Sequence, residues 1–427
     1  RDLDALPFWA SLRGRNKKVA VIDPPDCYPV PGVDGVQLAN WAPHLGWASR
    51  DPVYAPCAEP TELLQEVRQL FGPRMNLLEN SSSSFQEDEQ IYQSLLKQIA
   101  KKGELCRKLL ARDDRRHSYL IVAVFSECHT AAHQFWKYRP AVPASEATQE
   151  NKLTHAIRDV YQAIDRQLGL LLIELPDDAN VFIVSSVGIE DDYPTTQLIE
   201  TFCRQLGYQA HPEPASPSLK PLALFRRIIP QAWRIALSRY LPRDTRERLL
   251  ADQFRNGTNW GKTTAFTIPA YYTSFVRVNL RGREPEGIVE RGAEYESLLE
   301  RLESDLKQLV DLDTGEPAVK RITRSVDVFN GYPHVALPDL FIEWNHRHFM
   351  QRVNHPMCDL VQKKPDFFRT TDHSDHGFFA AAGPSIGARE SLGDVPVLDF
   401  APTFLSLMGE PVPRCLTGKV IDRMISD

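Results

Sequence analysis

Apolar positions along the chain follow two periods, and the alternation between them predicts an α/β protein. Four uncharged runs read as buried strands: Val19-Ala20-Val21-Ile22, Tyr119-Leu120-Ile121-Val122-Ala123-Val124-Phe125, Val181-Phe182-Ile183-Val184-Ser185 and Phe378-Phe379-Ala380-Ala381-Ala382. Pro338 to Trp344 adds a fifth, and Phe275 to Leu280 alternates like a half-exposed strand. Between the strands the period changes to that of helices. Leu63, Leu64, Val67, Leu70 and Phe71 share one stripe, closed by Gly72-Pro73. A capping box, Ser84-Phe85-Gln86-Glu87, opens a long helix reaching about Ala111, with Gly103 as its candidate interruption. Glu150 to Leu172 carries Leu153, Ile157, Val160, Tyr161, Ile164, Leu168 and Leu171 on one face, Glu294–Val310 is also amphipathic, and Val397–Met408 reads as a terminal helix with Pro402 in its first turns. Residues 24–60, rich in Pro, Gly and Trp, read as a long irregular excursion.

Strands alternating with helices imply a mostly parallel central sheet with helices on both faces. The expected sheet gathers the strands near 19–22, 120–125, 181–185, 339–343 and 378–382. The change of character after residue 193 divides the chain into a core first part at 1–193, an inserted cap at 194–330, and a return to the core at 331–427.

Composition narrows the function classes. The 427 residues are 42% hydrophobic and 25% charged, with a formal net charge of −6. That balance suits a globular protein and argues against a polymeric nucleic acid as partner. No window is apolar and long enough to span a bilayer. The cysteines number seven, with no CxxC pair, which fits a reducing compartment, and the expectation is cytoplasmic. The sequence starts at Arg1, inside what reads as a domain, so the lack of a targeting segment says nothing about export. Leu224 to Leu250 is arginine-rich and amphipathic; such a helix can sit on a membrane surface or face an anionic substrate, and the commoner reading is a solvated helical face.

The chemistry concentrates where the strand at 119–125 ends. Ser126-Glu127-Cys128-His129-Thr130-Ala131-Ala132-His133 turns polar at the edge where open α/β sheets bind ligands. A helix starting there would set His129 and His133 on one face, and neutral imidazoles are good ligands for zinc and its neighbours. Ordinary surface or core histidines have the same spacing. Cys128 reads as a packed strand-end residue, and His346 and His348, flanking Arg347, as surface histidines.

Several stretches resemble one family. Asp375-His376-Gly377-Phe378-Phe379-Ala380-Ala381-Ala382-Gly383-Pro384, Leu398-Asp399-Phe400-Ala401-Pro402-Thr403 and Gly409-Glu410-Pro411-Val412-Pro413 resemble the C-terminal part of the type I phosphodiesterase and nucleotide pyrophosphatase branch of the alkaline phosphatase superfamily. Asn279 to Val289 is similar to a segment of its bacterial members, and Ser126 to Trp136 to its metal-binding loop. The resemblance implies an alkaline-phosphatase-like α/β fold and hydrolysis of phosphate esters at two metal ions, usually zinc. Its first metal takes an aspartate, a histidine four residues later and a histidine near the C-terminus. Those positions are His129, His133 and His373 here, so three imidazoles would hold one zinc. The second metal's Asp-His-Gly corresponds to Ser186-Val187-Gly188, and valine cannot ligate. A further aspartate and the nucleophile are expected in a segment ahead of Arg1. Asp372, Asp375 and His376 read as loop residues or as groups orienting His373.

Two readings of function follow. One is a metal-dependent hydrolase of small phosphorylated or other anionic substrates, with a single-metal site. The other is an inactive relative that keeps the fold to bind a ligand or partner, which the Ser186-Val187 pair favours. A different reaction at a three-histidine metal is a third.

Overall fold

The computed structural model describes residues 6–42, 55–73, 83–111, 120–140, 150–212, 243–268, 270, 274–329, 333–345, 347–364, 370–388 and 391–426. The chain is a mixed α/β protein in two compact units: residues 1–190 with 371–427, and residues 191–370. Among the described residues no helix is long and apolar enough to cross a membrane.

The first unit is built on β1 (Val19–Ile22), β2 (Gly35–Ala39), β3 (Cys57–Glu59), α1 (Glu62–Phe71), α2 (Phe85–Leu110), β4 (Leu120–Ala123), α3 (Glu127–Phe135), α4 (Ala156–Leu172) and β5 (Val181–Ser185). The sheet order is β3-β2-β1-β4, with β1 parallel to both β2 and β4 and β3 antiparallel at the edge. Period two sorts β1 between two cores. Ala20 and Ile22 pack with Leu63, Val67 and Phe71 of α1 and Leu105 and Leu109 of α2. Val19 and Val21 pack on the other side with Trp9, Leu12 and Leu405. Helices therefore cover both faces, and each such side chain removed from water contributes about 1.5–3 kcal/mol.

The long helix begins on the expected capping box, with Ser84 and Glu87 exchanging both bonds. Gly103 does not interrupt it. It is buried where the Gln167 side chain of α4 crosses, and a Cβ there would meet that side chain. The helix expected from Glu150 starts at Ala156, because the Asn151 and Thr154 side chains bond back to the backbone of residues 151 and 153 and form a turn instead.

The second unit runs through α5 (Thr196–Gln205), α6 (Arg243–Asn256), β6 (Ala265–Ile268), β7 (Ser274–Val278), α7 (Ala293–Lys307), β8 (Val310–Asp311), β9 (Val319–Arg324), β10 (Leu340–Trp344), β11 (Arg352–His355) and β12 (Cys358–Val361). Its four-stranded sheet has the order β9-β10-β7-β6 and its three-stranded sheet the order β12-β11-β8. All these pairings are antiparallel. Tyr295, Leu298, Leu299, Leu302 and Leu306 of α7 share a core with Leu198, Ile199 and Phe202 of α5. The chain then returns to the first unit with β13 (Phe378–Ala382) and α8 (Phe400–Leu407).

Four expectations need correction. Among the described residues the five strands do not share one sheet: β10 lies in the second unit, and β5 pairs antiparallel with β13 in a two-stranded ribbon. Runs of Val, Ile and Phe report burial but not which partner provides it. The inserted unit extends to Thr370, whereas the sequence reading returned to the core at 331. The excursion at 24–60 contains β2 and β3. β2 escaped notice because its centre is Gln37, whose buried amide bonds to the Val30 backbone and accepts from the Trp9 indole. Finally, β4 is only half-buried along its length and β5 exposes Ile183 and Val184. Tyr119, His346 and the basic stretch up to residue 242 lie outside the described residues.

Candidate metal centre

At the carboxyl end of β4 the chain turns directly into α3. His129 and His133, one helical turn apart, lie on the same face of that helix. The third imidazole arrives from the other end of the sequence, on the segment between Thr371 and β13. Ring centroids are 4.7 Å apart for His129 and His133, 4.9 Å for His129 and His373, and 5.1 Å for His133 and His373. One nitrogen from each ring lies within 4.8 Å of the other two. His133 is buried, His129 half-buried and His373 exposed, so the cluster has a wall and a mouth.

The nitrogens suit a cation. Nε2 of His133 stands 3.2 Å from Nε2 of His373, close to the roughly 3.3 Å between two nitrogens that each bind one tetrahedral zinc at 2.0–2.1 Å. Nδ1 of His133 is 2.8 Å from the buried Thr371 hydroxyl. An Nδ1–H donated there fixes the tautomer and leaves Nε2 carrying the lone pair. Asp372 accepts the His373 backbone N–H at 2.8 Å.

Both ends of α3 are pinned by buried ions. At its start, the Lys102 ammonium from α2 lies 3.0 Å from the Glu127 carboxylate, 2.8 Å from Asp23 at the end of β1, and 3.0 Å from the Val124 carbonyl. Asp23 also accepts the Trp41 and Ala42 backbone N–H groups. Burial alone would push the Lys102 pKa down, but the two carboxylates win and raise it, so the ammonium stays charged. Burial raises the Glu127 carboxyl, and Lys102 opposes the rise. At the far end, Asp88 of α2 accepts from Gln134, Tyr138 and Ser83 and pairs with Lys137 at 2.8 Å. Burial works to raise the Asp88 carboxyl, but the four donors outweigh it and hold it below the usual carboxylate range.

The three expected ligands thus converge. Ser186 and Val187 are exposed, in a loop tied to the histidine segment by reciprocal bonds between the Gly188 and Ser374 backbones. Asp375 and His376 are exposed and stand outside the cluster; His376 faces Asp394 instead. Cys128 is a packed residue, its thiol bonded to the Phe125 carbonyl and raised in pKa by burial. The sequence reading missed Lys102, Asp23 and Asp88 as positioning groups. The available signal was a lysine on the buried stripe of α2 and an aspartate directly after an apolar strand. No protein-family model, curated protein or solved structure matches the chain.

Proposed function

We propose that the chain is a metal-dependent hydrolase of small phosphate esters, of the type I phosphodiesterase and nucleotide pyrophosphatase kind, with one zinc held by His129, His133 and His373. The observation that carries this reading is the convergence of three imidazoles from α3 and from a segment 240 residues further on. Zinc at such a site acts as a Lewis acid on a phosphoryl oxygen. The residues do the rest. Three neutral imidazoles leave the ion's charge at +2, where an aspartate in the His129 position would reduce it to +1, so the site favours anionic substrates. The Thr371 hydroxyl orients His133, and the Lys102 and Asp88 networks hold α3 so that two ligands are placed before anything binds. The exposed His373 side leaves room for a phosphoryl group.

The Ser186-Val187 pair favours a second reading, a relative that binds but does not turn over. Elemental analysis of zinc-loaded protein, with and without His373→Ala, beside an assay on an aryl phosphodiester, separates the two. The hydrolase reading expects one zinc lost in the variant and slow zinc-dependent hydrolysis. Zinc retained by the histidines without hydrolysis, or neither zinc nor hydrolysis, favours the binding protein and overturns the hydrolase reading.

A further inference from the structure

A different constellation lies in the second unit, at the turn that follows β8. Asp311, at the end of β8, is buried, with its side chain 5% exposed. Asp313 lies two residues on, in the exposed tip of the turn. His348 comes from the loop between β10 and β11. Its Nε2 stands 3.1 Å from an Asp311 carboxylate oxygen and 3.9 Å from one of Asp313, and the three donor atoms all lie within 4.8 Å of one another.

The feature that points to a ligand is the state of that nitrogen. Nε2 of His348 is shielded from solvent, yet it has no hydrogen-bond partner among the described residues, even with Asp311 at 3.1 Å. The approach is close enough for a hydrogen bond but lacks the alignment for one. The rest of the His348 side chain is 34% exposed, so the three donor groups sit at a mouth open to solvent. Buried polar nitrogens left unmatched are costly, of the order of 1–3 kcal/mol, so the arrangement asks for a partner.

The scaffold holds the donors in place without one. Asp311 accepts the Asp313 backbone N–H at 3.1 Å and the Thr314 hydroxyl at 3.0 Å. β11 runs antiparallel beside β8, with Val353 opposite Asp311, and the Leu312 N–H donates to the Arg352 carbonyl. The loop carrying His348 is tied to the same turn, because Asn345 bonds the Ala318 and Pro317 backbones and Arg347 pairs with Glu316. Two carboxylates against one imidazole leave the cluster negative whichever way His348 is protonated.

We propose that Asp311, Asp313 and His348 form a site for a divalent borderline cation of the zinc class. One nitrogen and two carboxylate oxygens are a donor set that zinc accepts, with a remaining position open to water. Ligand atoms around a tetrahedral zinc stand roughly 3.3 Å apart, so the 3.9 Å between His348 and Asp313 has about 0.6 Å to close, and the exposed Asp313 is the group free to move. This site does not depend on the function proposed for the three-histidine cluster.

The test is zinc titration of the full chain, followed by competition with a chromophoric chelator, and cobalt substitution read by its visible absorption. His373→Ala serves as the background that removes the other cluster. We expect one equivalent held in that background, with affinity falling by more than about tenfold on adding His348→Ala and again on adding Asp313→Asn instead, the least that losing even an outer partner of a metal site costs. Asp313 is exposed, so its variant keeps the fold, and far-ultraviolet circular dichroism checks both. No zinc in the folded background protein would overturn the proposal. So would binding that neither substitution changes; His348 and Asp311 are then an ion pair alone.

Discussion

Each unit buries a charged network, and the two are completed to different degrees. In the second unit Asp339 is fully engaged: Arg283 binds it through both terminal nitrogens at 2.9 and 2.6 Å, Tyr295 donates its hydroxyl at 2.7 Å, and the Val278 N–H at 2.6 Å. In the first unit Lys102 faces two carboxylates, and the site beside it is left incomplete. Glu127 Oε2, Ser126 Oγ, Gln98 Oε1, Asn40 Oδ1 and Trp41 Nε1 are buried and find no hydrogen-bond partner among the described residues. The finished network knits α7 to the β-sheet of its unit. The unfinished one gathers at the strand ends that carry the histidine helix. Native structures leave few buried polar atoms unmatched, and groups of them belong where a ligand, water or ion is expected. Asn279 Oδ1 and Ser325 Oγ are unmatched near the Asp339 pair too, so the contrast lies in the charged groups themselves: both Asp339 oxygens are engaged, whereas Glu127 Oε2 is not.

The largest test of this contrast is Lys102→Met. It strands Asp23 and Glu127 in the interior without their counter-ion, and a loss of about 3–5 kcal/mol is expected in denaturant unfolding. Adding Glu127→Gln should recover part of it, because one of the stranded charges is removed. A loss under about 1 kcal/mol would mean that water already reaches the network. Arg283→Lys probes the finished pair. Lysine keeps the charge but gives up the two-pronged contact with Asp339, so about 1–3 kcal/mol should be lost, with no effect on zinc at the histidine cluster. A change in zinc affinity there would blur the distinction.

Thr371→Val sharpens the comparison on the site side. It removes the hydroxyl that sets the His133 tautomer while keeping the shape, so zinc affinity should fall about 10–100-fold while unfolding changes little. Equal affinity in the variant would show that Thr371 does not orient the ring. The smallest effect expected is in acid. Asp88 has its pKa lowered in the folded state, so its contribution to stability is present above the unfolded carboxylate pKa and is lost as pH falls through the folded value. Asp88→Asn should flatten that acid limb below about pH 4, the ordinary carboxylate range, and leave the neutral limb unchanged in slope. An unchanged acid limb would remove Asp88 from the account.

Local signals in the sequence were sufficient for local structure. The capping box at Ser84, the stop at Gly72 and the four-residue spacing of His129 and His133 each report on contacts within one turn, and each appears where it was read. The meeting with His373 rested on the family resemblance, since no local pattern links residues 240 apart. Sheet membership was not legible, because the residues of β10 satisfy the same hydrophobic pattern in either unit. Lys102 was also hidden. A lysine on a helix normally reads as exposed, and its counter-ions, Asp23 and Glu127, lie 79 positions before it and 25 after it. The Asp311, Asp313 and His348 constellation escaped for the same reason, since the turn and the loop meet through the pairing of β8 with β11.

The ribbon formed by β5 and β13 has a colloidal consequence. Among the described residues neither strand has a second hydrogen-bonded neighbour, and the ribbon presents Ile183, Val184 and Phe378 at 39%, 41% and 52% exposure. An unpaired, apolar strand edge is a template for another chain, and β5 carries none of the lysines or prolines that usually blunt such an edge. An edge of this kind is open to intermolecular strand addition, and a single lysine at Ile183 or Val184 is the place to test and block it.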